Sequence, residues 1–148
     1  MTIYLGADHR GFDFKKKIYD YLKSKNLQVV DEGDKKLDLN DDFPQFASRV
    51  VHQLLADKEF DSRGILVCGS GQGMAMAANR FKGIRASLCL SVDQACAVRD
   101  EDDSNVLCLA SDFTDFETAK NVIDVWLATP FAAASRYIRR LKELDELN

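Results

Sequence analysis

The stretch Ile65-Leu66-Val67-Cys68-Gly69-Ser70-Gly71-Gln72-Gly73-Met74-Ala75-Met76-Ala77-Ala78 carries three local codes in succession. An apolar run suited to a buried strand is followed by a loop with glycine at every second position, and then by good helix formers. Strand, glycine loop and helix start make one βα unit, the building block of parallel sheets. Glycines at 69, 71 and 73 let successive backbone N–H groups turn toward one point, and a helix N-terminus adds roughly half a positive charge there. The loop therefore reads as an anion site, with the Cys68 thiol and the Ser70 hydroxyl at its edge. The same glycine pattern also serves plain tight turns, and Ser70 could equally be a helix N-cap.

Outward from this unit the same alternation continues. Residues 2–6, 27–30, 64–67, 84–90 and 106–110 read as five short apolar strands. Helical patterns fill 12–25, 44–56, 73–80, 92–101, 116–127 and 131–144, with a polar connection at 31–42 and a break near Pro130. In the first helix Phe12, Phe14, Ile18, Tyr19 and Leu22 form one stripe, with lysines elsewhere. Continuous apolar strands separated by helical crossovers predict a five-stranded parallel sheet covered on both faces, a three-layer α/β/α sandwich. In such a sheet the loops at the strand C-termini gather at one edge, so Ala7-Asp8-His9 should lie near the glycine loop.

The totals narrow the function classes. At 148 residues, 46% of them apolar and 30% charged, the chain fits one compact domain spanning 1–148. A net charge of −4 gives no general attraction to nucleic acid or to an anionic membrane, so neither is expected as a partner. Cys68, Cys89, Cys96 and Cys108 show no CxxC spacing, and His9 and His52 do not pair with them at zinc-like intervals. That pattern predicts reduced thiols, no metal, and a cytoplasmic location, and no apolar run is long enough for a membrane span.

Few residues outside the loop have chemical potential. The loop lacks the Gly-Lys-Ser/Thr of a nucleotide P-loop and misses the dinucleotide fingerprint by one residue. Cys68 stands apart from the other thiols because it sits at a strand end beside backbone donors, a setting that favours reactivity. Asp8 and His9 can orient an imidazole or bind a polyhydroxyl compound; alternatively Asp8 caps a helix and His9 faces solvent. Arg136 and Arg140, four apart, form either a cationic clamp for a phosphate or carboxylate, or one side of a solvated basic helix. The four acids Asp100 to Asp103, Glu101 among them, read as a solvated helix end.

Taken in order, Gly6-Ala7-Asp8-His9-Arg10-Gly11-Phe12, Asp42-Phe43-Pro44, Cys68 to Gly73 with Ala77-Ala78-Asn79, Gly83-Ile84-Arg85-Ala86, Ser104-Asn105-Val106-Leu107 and Arg136 to Arg140 resemble the ribose-5-phosphate isomerase type B and galactose-6-phosphate isomerase family. The resemblance runs nearly end to end. It implies a Rossmann-like sandwich, a homodimer or a tetramer built as a dimer of dimers, active sites shared by neighbouring subunits, and no metal or organic cofactor. The C-terminal helix, at about 131–146, would pack on a partner subunit. The implied substrate is a phosphorylated sugar, and the implied reaction interconverts aldose and ketose through a cis-enediolate.

By that resemblance Cys68 matches the catalytic base and Ser70 the hydroxyl that assists proton movement between the substrate oxygens. The N–H groups of Gly69, Ser70, Gly71, Gln72 and Gly73 match the hole for the enediolate charge. Asp8 and His9 match sugar and phosphate contacts, and Arg136 with Arg140 the phosphate clamp. The branch with a glutamate base would carry it at 74, where this chain has Met74. The family's ring-opening histidine falls at Glu101, the asparagine after it at Asp102, and a further phosphate-contacting arginine at Asp112. Phe43 keeps the aromatic face of the family's tyrosine without its hydroxyl. A carboxylate at Glu101 can still carry the ring-opening proton. Asp102 and Asp112 would repel a phosphate dianion unless they face elsewhere or pair with Arg136 and Arg140. These acids set ribose 5-phosphate in question as substrate and admit a sugar-phosphate-binding subunit without catalysis.

Overall fold

The computed structural model describes residues 1–59 and 61–147. In chain order its elements are β1 (Thr2–Ala7), α1 (Phe12–Ser24), β2 (Gln28–Asp31), α2 (Phe43–Ala56), β3 (Arg63–Cys68), α3 (Gln72–Ala78), β4 (Ala86–Leu88), α4 (Val92–Asp102), β5 (Val106–Ala110), α5 (Phe116–Ala128) and α6 (Ser135–Asp145). All strand pairs are parallel, and the sheet order is β2-β1-β3-β5-β4. The chain order reverses on the two sides of β1 and β3, so the crevice above their C-terminal ends is the place where such a sheet opens.

Alternation along the strands sorts two cores. Ile3, Leu5, Ala7, Ile65, Val67, Leu107 and Leu109 face one layer, where they meet Ile18 and Leu22 of α1, Ala95 of α4 and Val122, Ile123 and Trp126 of α5. Leu66, Cys68, Val106 and Cys108 face the other, against Phe46, Val50 and Val51 of α2 and Met74 and Ala78 of α3. The spacing of the buried residues Ala119, Val122, Ile123 and Trp126 in α5 is that of a one-sided helix face. Removing a side chain as large as the fully buried Trp126 costs about 3–5 kcal/mol in such a core.

Helix starts follow local chemistry. Asp115 caps α5 by accepting from the Thr118 N–H at 2.9 Å, Ser91 caps α4 through the Gln94 N–H, and Pro44 occupies the first turn of α2 behind Asp42.

Two boundaries differ from the sequence pattern. The last helix begins at Ser135, not at 131. Pro130 lacks a donor, Ala133 takes a left-handed φ of 51°, and the Ala132 N–H is drawn to the Asp100 carbonyl at 3.0 Å, so 131–134 runs along α4 instead of coiling. The strand expected over 84–90 is reduced to Ala86–Leu88 at the sheet edge. There the Arg85 N–H donates to the Asn105 side chain, and Ser91 already caps α4.

Candidate active site

The loop after β3 is shaped by close backbone approach. Gly71 has φ 73°, and a β-carbon there would lie 2.5 Å from Leu88 Cδ1. Only glycine meets both demands cheaply. Gly71, not Ser70, is the N-cap of α3, and Ser70 Oγ only accepts a long 3.4 Å bond from the Gln72 N–H. The helix has seven residues, so it brings little macrodipole to the loop, and the donors the loop presents are individual N–H groups. The Gly71 N–H donates to Cys68 Sγ at 3.1 Å. The N–H groups of Ser70 and Gly73 have no acceptor among the described residues. Cys68 itself is 6% exposed, at the last position of β3. The Phe43 ring packs directly over Gly73, tying the start of α2 to the loop.

The segment after β1 closes over the same edge. Asp8 donates its N–H to the Val67 carbonyl at 3.3 Å, and its carboxylate accepts from the N–H groups of Arg10 and Gly11 at 3.0 and 3.1 Å. It thus holds the turn into α1. Burial pushes the Asp8 carboxyl above its usual range, opposed by the Gly11 N–H and the nearby imidazole of His9. Gly11 runs so close to β3 that a β-carbon would lie 2.6 Å from the Val67 carbonyl oxygen.

His9 is held by a partner that the sequence pattern did not single out. Its Nδ1 lies 2.6 Å from Asp41 Oδ1, and its backbone N–H donates to the same oxygen at 3.0 Å. This hydrogen bond raises the His9 pKa, with the charges of Asp41 and Asp8 adding to it against partial burial. Asp41 arrives on the polar segment between β2 and α2. The base of that segment is pinned by Lys15, which is 2% exposed and donates to both carboxylate oxygens of Asp31 at 2.7 and 2.8 Å and to the Asp34 carbonyl at 3.2 Å. Asp41 directly precedes Asp42-Phe43-Pro44, and that adjacency was the available signal.

Asp112 is engaged within its own chain: Arg10 Nη2 forms an ion pair with Asp112 Oδ2 over Gly69. The Asp112 N–H donates to the Gly69 carbonyl at 3.0 Å, so this acid belongs to the rim of the glycine loop.

Glu101, Asp102, Arg136 and Arg140 lie elsewhere in the chain. Glu101 and Asp102 end α4, which leads into the N-terminal end of β5. In the sheet Val106 is level with Gly64 while Cys68 is level with Ala110, a separation along the strands of roughly 13 Å. The acids therefore sit at the opposite edge from Cys68. Arg136 stands with them: it donates to Tyr137 Oη at 2.7 Å, and its pKa is raised by that bond and further by Glu101 and Asp100. Both Arg136 and Arg140 are exposed. Asp103 is drawn out of the acidic run by ion pairs at 2.9 Å to Arg85 and to Arg99. His52 is a surface residue, bonded to Ser48 and set edge-on to Phe81. No cluster of metal-ligating side chains occurs among the described residues, and no helix there is long and apolar enough to cross a membrane.

A thiol at a strand end, loop N–H groups without an acceptor among the described residues and an imidazole held by Asp41 gather at the C-terminal edge of the parallel sheet, where open sheets of this kind carry their sites. The chain belongs to the ribose/galactose isomerase family, whose model matches residues 3–144. It is 41% identical over 144 residues to the probable ribose-5-phosphate isomerase B of Mycoplasma genitalium, covering 97% of this chain and 93% of that one. It is 33% identical to ribose-5-phosphate isomerase B of Mycobacterium tuberculosis, covering 99% and 89%. Among solved structures, the Thermotoga maritima ribose 5-phosphate isomerase superposes with a TM-score of 0.92 at 39% identity, covering 98% of this chain and 97% of that one. The Mycoplasma genitalium enzyme with bound ribulose 5-phosphate gives 0.91 at 38%, covering 99% and 95%.

Proposed function

We propose that the protein interconverts ribose 5-phosphate and ribulose 5-phosphate, with Cys68 as the base. The observation that carries the reading is the Gly71 N–H aimed at Cys68 Sγ within a loop whose Ser70 and Gly73 N–H groups have no acceptor among the described residues. In the open-chain aldose, Cys68 Sγ removes the C2 proton as the C1 carbonyl electrons move onto oxygen. The resulting cis-enediolate is held by the loop N–H groups, and Ser70 Oγ relays a proton between O1 and O2. Return of the proton from sulfur to C1 gives the ketose, so the reaction is redox-neutral and needs no co-reactant. Each preorganised donor of this kind is typically worth about 3 kcal/mol of barrier.

The phosphate is assigned to His9 of one chain with Arg136 and Arg140 of a second copy, and ring opening to Glu101 with Asp102 of that second copy. Two features support an assembly that brings the sheet edges of neighbouring chains together. Only Tyr137 of α6 is buried, while Ile138 is 52% exposed, leaving part of an apolar stripe uncovered. Beside Gly73 an apolar hollow of about 590 Å³ is lined by Phe43, Pro44, Met76 and Phe81. A homodimer, or a tetramer of two such dimers, fits both.

The test is turnover in deuterated water. The reading predicts deuterium at C1 of the ribulose 5-phosphate formed and, through reversal, at C2 of ribose 5-phosphate, with both lost in Cys68→Ala. Absence of exchange, or exchange that survives Cys68→Ala, overturns it. The acids at 101, 102 and 112 favour one second reading, a binding subunit without turnover. Tight ribulose 5-phosphate binding with no exchange would select it.

A further inference from the structure

We propose that Arg10 binds the anionic group of the substrate, a phosphate ester, and that Asp112 occupies the Arg10 guanidinium until that group arrives. This rests on the sugar-phosphate reading above and adds to it a specificity residue on the same chain as Cys68.

The backbone of Arg10 is fixed on two sides, while its side chain is held by one part-exposed ion pair. Its N–H donates to Asp8 at 3.0 Å, and its carbonyl accepts from Ser111 Oγ at 3.0 Å. The side chain is 56% exposed, yet it does not extend into solvent. It folds back across the loop, so that a β-carbon on Gly69 would collide with the guanidinium and lie 2.8 Å from Asp112 Oδ2. A planar cation with paired donors thus lies on the residue that begins the anion loop, one position from an imidazole biased toward its charged form by Asp41. A guanidinium fork beside an imidazole whose protonation Asp41 favours and Arg10 opposes matches a phosphate better than a single carboxylate.

Asp112 is suited to be displaced. Its side chain is 38% exposed, and an ion pair open to water on both sides is a weak one. A dianion brings more charge and more acceptor oxygens to the same fork. With Arg10 engaged elsewhere, Asp112 turns to solvent from a backbone still anchored on the Gly69 carbonyl. The acid at this position then favours ligands charged enough to compete with it, so unphosphorylated sugars are excluded.

Inorganic phosphate titrated against the whole protein, followed through the amide signals of Gly69 and His9, tests this without requiring turnover. Arg10→Ser should weaken phosphate binding there about tenfold, and Arg10→Lys less. Asp112→Asn should tighten it roughly threefold by freeing the guanidinium. With ribose 5-phosphate as substrate, Arg10→Ser should raise KM about tenfold and leave kcat within about twofold. Unchanged phosphate affinity in Arg10→Ser, or weaker affinity in Asp112→Asn, overturns the proposal. Loss of kcat in Arg10→Ser at unchanged KM overturns it as well. If the unaltered protein shows no turnover but the phosphate titration behaves as stated, the isomerase reading fails and the Arg10 assignment stands.

Discussion

The two edges of the sheet are built by opposite rules. At the C-terminal edge, Cys68, the glycine loop, Asp8, His9 and Arg10 are brought together by strands that are hydrogen-bonded neighbours, and the Ser70 and Gly73 N–H groups have no acceptor among the described residues. At the N-terminal edge, Arg63 and Arg99 are almost fully buried and their forks are spent on structure. Arg63 donates to the Trp126 and Leu127 carbonyls and to Asp61; Arg99 donates to Asp103 and the Thr129 carbonyl. These contacts close the end of α5 in place of a glycine cap. Burial lowers the Arg99 pKa, with the Arg63 charge adding to that and Asp103 opposing it. The ion pairs at the C-terminal edge, His9–Asp41 and Arg10–Asp112, are thus part-exposed, while the arginines of the N-terminal edge are buried. Glu101, Asp102, Arg136 and Arg140 break this division, because they are exposed and available at the edge that is otherwise structural. The proposed two-chain site would resolve the conflict, with a second copy presenting them to its neighbour's glycine loop.

The largest expected effect is at the C-terminal edge. Cys68→Ala should lower kcat by about 10³-fold or more while leaving the thermal unfolding midpoint within a few degrees, since a thiol-to-methyl change in the core is small. A comparable loss in stability instead would place Cys68 with the structural groups. Next, replacing Arg136 and Arg140 together with alanine should cut kcat/KM for ribose 5-phosphate by roughly 100-fold with little change in stability, measured by steady-state kinetics and urea unfolding. Both are exposed, so a marked fall in stability would assign them to the fold.

A smaller effect is expected at Gly71. Its φ of 73° and its approach to Leu88 and Leu109 make Gly71→Ala destabilising by about 1–2 kcal/mol or more in urea unfolding, with activity falling as the loop shifts. The smallest is electrostatic. Asp41→Asn should return the His9 midpoint, followed by imidazole proton shifts, toward the ordinary 6.5. Because the folded His9 pKa is raised, its contribution to stability is fully present below 6.5 and is lost as pH rises through the raised midpoint. Asp41→Asn removes that slope; a midpoint that does not fall would mean another group holds the proton.

Much of this was legible in the sequence, for physical reasons that differ by region. Strands such as 106–110 are continuous apolar runs because both faces are covered, and α5 declares itself through one buried stripe. The meeting of Asp8 and His9 with the glycine loop follows from strand order alone. What was not legible depends on side chains that reach across loops. The Arg10–Asp112 pair joins positions 102 residues apart and has no local signature. The Asp41 contact with His9 depends on how a polar segment of irregular shape folds back, which the buried Lys15–Asp31 pair decides. The start of α6 was misplaced because the Ala132 N–H finds a partner on α4, a tertiary contact that overrides helix propensity.

Complementation between two crippled proteins tests the shared site most directly. Cys68→Ala protein, with its arginines intact, would be unfolded and refolded together with protein in which Arg136 and Arg140 are both alanine. Each mixed dimer then carries one site with an intact Cys68 facing intact arginines. The account predicts recovery of about a quarter of the unaltered activity, since half the dimers are mixed and one of their two sites is whole. Activity that stays at the sum of the two separate variants would contradict a site assembled from opposite edges of two chains.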